Sequence, residues 1–216
     1  MIFALPSLTL FAATVFLLAI LMSLVRKNTS LVMLYLLQSL GVTIGLISLA
    51  YSEGSQGLLY VALLTLVVKA VMAPIFLFHL IKRHSLYISA TSYLSMPLTL
   101  LSLAVITSFS FSLLASHPNV SLPAGVPLLF ASILCVFFLM VNRRGTLATI
   151  IGILALENGI VLLSAQLGLQ HSFALEFAIS FDIAVWTVIA TGFLAMIYRE
   201  FGTVDTASRM MHLTEE

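Results

Sequence analysis

The sequence predicts an all-α integral membrane protein of seven transmembrane helices, with its N-terminus outside and its C-terminus cytoplasmic. Three observations predict this. The chain of 216 residues is 61% apolar and 8% charged, which leaves too few polar groups to cover a water-facing surface. Apolar runs of about twenty residues recur along the whole length, each able to cross roughly 30 Å of hydrocarbon as a helix. Basic residues gather after alternate runs, as the positive-inside rule requires, and the shorter alternating segments of a closed β-barrel are not seen.

The first span, 3–25, has no basic residue ahead of its apolar core and no small-residue cleavage site, so it reads as a permanent helix. Arg26 and Lys27 end it, and the second span covers 29–51. The turn residues of "SEGSQ" separate that span from the third, 57–81, which Lys82 and Arg83 close. The fourth span is expected over 89–115. After it, "SHPNVSLPAGVP" carries three of the six prolines and divides a four-helix part, 1–116, from a three-helix part, 117–200. The fifth span is 122–141, ended by Arg143 and Arg144; the sixth is 146–169 and the seventh 173–198. A polar cytoplasmic tail, 201–216, follows as a short amphipathic helix or a disordered docking strap.

Eight of the nine basic residues fall on one side of this arrangement, and the opposite connections hold Glu53, His117, His171 and Glu176 without any Lys or Arg. The exception is Lys69, thirteen residues or roughly 20 Å before Lys82. Glu157 lies equally deep, thirteen residues from both Arg144 and Gln170, and Asp182 sits within the seventh span. Three ionisable groups from three helices thus lie near the midplane. Facing lipid, the set costs on the order of 8–10 kcal/mol, so the groups face protein, a partner subunit or water. Such a row can load and unload protons.

A buried Lys–acid pair that only fixes packing accounts for Lys69 equally well. Two acids with one buried base leave a carboxyl without a counter-charge, which favours function for Glu157 and Asp182. Pro74, five residues after Lys69, displaces the carbonyl of Ala70 and is expected to kink the third span beside the lysine. His79, near the inner interface, is a candidate proton donor from the cytoplasm or an ordinary interfacial residue. Asn158, Ser164 and Thr65 supply nearby hydroxyl and amide groups, as relay members or as interhelical glue. Trp186 is expected in a core or a subunit contact.

No nucleotide loop, dinucleotide fingerprint, cysteine set or bis-histidine haem arrangement is present, and the lone Cys135 reads as packing. The five histidines show no metal-helix spacing. No cofactor, metal or nucleic acid is therefore expected on this chain. Without a redox centre or nucleotide site, a chain of this kind works as one part of a larger assembly in the bilayer.

Four stretches carry a resemblance: the lysine and proline of "TLVVKAVMAPIF", "LENG" in the sixth span, "FDIAVW" in the seventh, and "GTVD" in the tail. The chain resembles hydrogenase-4 component E, the membrane subunit of formate hydrogenlyase and related group 4 nickel–iron hydrogenases. Its last three spans are also similar to subunit K of NADH-quinone oxidoreductase, whose family carries two intramembrane glutamates on successive helices. Glu157 matches the first by context, and Asp182 stands at the second as an aspartate.

The resemblance implies a complex I-like inner-membrane assembly in which this subunit passes protons through Lys69, Glu157, Asp182 and His79. Antiporter-like subunits would be its neighbours, and a peripheral nickel–iron and iron–sulfur module on other chains would supply the redox chemistry. The competing readings are a scaffold whose charges only lock helices, an independent secondary transporter, and a subunit of a cation/proton antiporter or NADH-quinone oxidoreductase-type complex.

Overall fold

The computed structural model describes residues 4–83, 92–115 and 122–168. The expected seventh span, with Glu176, Asp182 and Trp186, and the tail lie outside the described residues, as do His117 and His171. Among the described residues the chain is helical, and Ser92 and Arg143 form an isolated backbone bridge. Four helical stretches, Asn28–Glu53, Gln56–Lys82, Met96–Leu114 and Thr146–Gln166, are long and apolar enough to cross a membrane; two shorter apolar helices accompany them.

Helix α1 (Ala4–Leu24) is followed by α2 (Asn28–Glu53). Gly54 ends α2 in a left-handed conformation (φ 65°), with its own N–H and that of Ser55 both bonded to the Ala50 carbonyl. Glycine takes this conformation without Cβ strain. Ser55 then caps α3 (Gln56–Thr65), accepting from the Leu58 N–H at 3.4 Å. The rod continues through a π-helical segment, Leu66–Met72, into α4 (Ala73–Arg83).

The fourth expected span is shorter than the apolar run suggests. Residues 92–95 are not helical, and α5 runs over Met96–Ala115. Pro97 is the physical reason, because it has no N–H to give a carbonyl four residues earlier and its ring presses on that carbonyl, so it is tolerated only in a first helical turn. Pro127 likewise lies in the first turn of α6 (Val126–Asn142), and α7 (Thr146–Gln166) follows after three residues.

Helix α2 packs against α1, α7 and the α3–π–α4 rod, while α6 packs against α1, α5 and α7. In lipid, apolar side chains gain little by meeting one another, so close helix packing relies on small residues. Helix α7 supplies them at Ala148, Gly152, Ala155 and Gly159. A Cβ at Gly152 would lie 2.4 Å from Met140 Cγ, and one at Gly159 would lie 3.0 Å from Ile133 Cγ1, both on α6. Helices from both sides of the proline-rich break share the same apolar clusters.

One end of the bundle is latched by polar contacts. The Arg143 guanidinium donates to the Ser23 and Val25 carbonyls at the end of α1. The Asn142 carbonyl accepts from the Tyr93 N–H at 2.9 Å, its Oδ1 accepts from Leu94 N–H at 3.0 Å, and its Nδ2 donates to Thr99 Oγ1 at 3.4 Å. The Arg144 guanidinium lies 4.3 Å over the Tyr93 ring. Burial, and then the nearby Arg26 charge, lowers the proton affinity of Arg143 from its ordinary value. The carbonyl oxygens of Ser23 and Val25 give that charge its hydrogen bonds.

Candidate functional site

Two apolar clusters fill the interior, and a polar layer separates them. One cluster, toward the Arg143 end, includes Ala19, Tyr35, Ala73, Leu77, Cys135 and Ala155. The other includes Val15, Val42, Ala62, Leu129 and Leu162. In sequence, the gap between them falls at the same place on each of four elements: Gln38 and Ser39 on α2, Thr65 and Lys69 on the rod, Ser132 on α6, Glu157 and Asn158 on α7. All seven are buried.

The sequence-predicted pair meets here. Lys69 Nζ lies 2.5 Å from Glu157 Oε1, with side chains 1% and 12% exposed. The two charges satisfy each other in a region where either alone would be costly. The slight exposure is on the carboxylate, and Lys69 is fully buried.

Local backbone structure places the lysine. The π-helical segment spans Leu66–Met72, and the Ala73 N–H reaches back five residues to the Val68 carbonyl. In a regular α-turn the Pro74 ring would press on the carbonyl four residues earlier, that of Ala70. The widened turn lies directly before Pro74, where the sequence predicts a kink with the Ala70 carbonyl displaced. Pro74 has no N–H of its own to add to the rod's ladder beside the lysine.

Neutral groups frame the acid. Asn158 Nδ2 donates to Ser39 Oγ at 2.9 Å, tying α7 to α2 one residue from the carboxylate. Ser39 also accepts at its carbonyl from the Thr43 hydroxyl at 2.8 Å, and Ser132 Oγ donates to the Leu129 carbonyl at 2.8 Å. Tyr35, one turn before Ser39, lies within electrostatic reach of Glu157. Thr65 is buried in the layer as expected, whereas Ser164 lies beyond Leu162 and is partly exposed.

His79 is not brought to the pair. It is exposed on α4, alongside Ile75 and Phe76, and the buried side of that helix is formed by Ala73, Leu77, Leu80 and Ile81. Asp182 lies outside the described residues. Three members of the layer were not read from sequence: Ser132 and the adjacent Gln38 and Ser39. The available signal was an amide and a hydroxyl side by side in the middle of "LYLLQSLGV", which averaged hydropathy conceals. Among the described residues, no group of three or more His, Cys, Asp or Glu is placed to hold a metal.

Chemically, the layer is a buried ammonium–carboxylate pair, set between dry clusters and flanked by groups that both donate and accept hydrogen bonds. Such a pair can hold or release a proton with little movement of heavy atoms. No protein-family profile, curated protein or solved structure matches this chain.

Proposed function

We propose that this chain is a membrane-arm subunit of a complex I-like assembly, of the group 4 hydrogenase type, and contributes an intramembrane proton relay. One observation carries the reading: Lys69 and Glu157, from different helices, pair at 2.5 Å in a polar layer between two apolar clusters. A carboxylate there is costly to keep, and proton transfer is a function that repays it. In this proposal Glu157 is the exchangeable group, Lys69 tunes it, and Asp182 continues the path toward a neighbour. The redox chemistry belongs to peripheral nickel–iron and iron–sulfur chains, and antiporter-like subunits lie alongside in the inner membrane. Seven spans, with the N-terminus outside, complete the proposal.

The test is Glu157→Gln in the assembled complex, reconstituted in vesicles with a pH-sensitive dye inside. The amide keeps the shape and removes the proton site. We expect the complex that assembles to keep its redox activity, with coupled proton movement reduced at least tenfold. Normal proton movement in that variant would end the relay reading.

A second reading is supported by the directness of the ion pair: charges matched this closely also serve as a lock between α7 and the rod. A lock predicts that Glu157→Gln loosens the bundle and leaves any assembled complex fully coupled. Proteins copurifying with the tagged chain identify the assembly, since an isolated transporter would come without a large hydrogenase-like subunit.

A further inference from the structure

The charged pair leaves unexplained a neutral amide in the same layer. Gln38 is 0% exposed, ten residues into α2, between Tyr35 of one apolar cluster and Val42 of the other. Neither Nε2 nor Oε1 of Gln38 has a hydrogen-bond partner among the described residues, and the same holds for Asn158 Oδ1. An amide offers two donors and two acceptor sites, and leaving it bare in a dry interior forfeits more than an ordinary hydrogen bond contributes. A leucine at this position would fill similar space at no such cost. Buried polar groups of this kind are met by ordered water where several polar atoms converge.

Several buried polar residues lie at this level on the packed helices α2 and α7. Gln38 adjoins Ser39, which accepts from Asn158 at 2.9 Å, and Asn158 adjoins Glu157. Within two helices, an amide, a second amide oxygen, a hydroxyl and a carboxylate share one level of the bundle.

We infer that Gln38 and Asn158 hold ordered water in the polar layer, and that this water is the connection through which Glu157 exchanges its proton. The second half of the inference rests on the relay reading. The transfer is balanced: the carboxyl O–H gives its proton to a water oxygen, and that water releases one of its own protons to the next. The carboxylate left behind faces Lys69. Gln38 is unchanged throughout, which suits a side chain that donates and accepts at once and traps no proton. It is a positioning residue acting through water.

The experiment uses the full-length protein in lipid vesicles and infrared difference spectroscopy in H2O and D2O. Wild type is compared with Gln38→Leu, Gln38→Met and Glu157→Gln, the last identifying the Glu157 carboxyl band. We expect a bound-water stretching band that both Gln38 variants lose, and about tenfold slower deuterium exchange at the Glu157 carboxyl in both. Thermal unfolding of the two Gln38 variants should be little changed, since Leu and Met fill similar space without a polar group to satisfy.

Retention of the water band in both variants, or wild-type exchange at Glu157, would overturn the inference. So would a hydrogen bond to the Gln38 amide from another part of the chain. The relay reading fails separately: in that case the water band still depends on Gln38, while Glu157→Gln leaves vectorial proton movement intact.

Discussion

At the scale of single residues, the stability of the bundle depends on Lys69 and Glu157 being matched. Removing one partner strands the other charge between two apolar clusters. Lys69→Met alone is therefore expected to destabilise the protein by about 3–5 kcal/mol, and Lys69→Met with Glu157→Gln to recover most of that loss. Unfolding in detergent, followed by circular dichroism, measures the cycle. Equal losses for the single and double variants would mean that the pair contributes nothing as a pair. Both members were legible in the sequence because a charge deep in an apolar run stands out. Gln38 was not, because one amide barely lowers the hydropathy of its window and its solitude becomes visible only when its neighbours are placed. Arg143 was legible only as a loop charge. Its burial depends on the α1 carbonyl groups it meets, which no local pattern announces.

At the scale of elements, α7 approaches α6 because Gly152 and Gly159 present no side chain there. At Gly159, an added methyl meets Ile133 at 3.0 Å and Ser132 Oγ at 3.4 Å, so Ala needs a shift of a few tenths of an ångström. Gly159→Ala should therefore be nearly silent. Gly159→Leu must push the helices apart and is expected to cost about 1–3 kcal/mol, with the Asn158–Ser39 bond disturbed. Thermal melts of the two variants check the contrast. Among the described residues, span positions were readable to within a few residues, except where Pro97 and the turn before Val126 delay α5 and α6. The π-helical turn was not readable: Pro74 announces a disturbance, but choosing between a bend and one extra residue in the turn depends on packing against α2. The apolar sequence is the same for both.

At the scale of the whole molecule, the connections that carry Arg26, Arg143 and Arg144 meet at one end, since Arg143 contacts the last residues of α1. The turn at Glu53–Ser55 lies across α2 from that end. With the basic end inside, a membrane-impermeant maleimide should label Glu53→Cys in intact cells and leave Lys27→Cys unlabelled until the membrane is permeabilised. The native Cys135 is fully buried and gives no background. The reverse labelling would invert the orientation. The Arg143 latch also sets an order of events during synthesis. Its donor and the Ser23 carbonyl it grips are separated by 120 residues of chain. The first hairpin therefore leaves the ribosome long before its clasp exists, and must wait, loosely held, in the bilayer or the insertion machinery. Nascent chains arrested before that arginine emerges should fall prey to membrane proteases, whereas those arrested beyond Gln166 should survive.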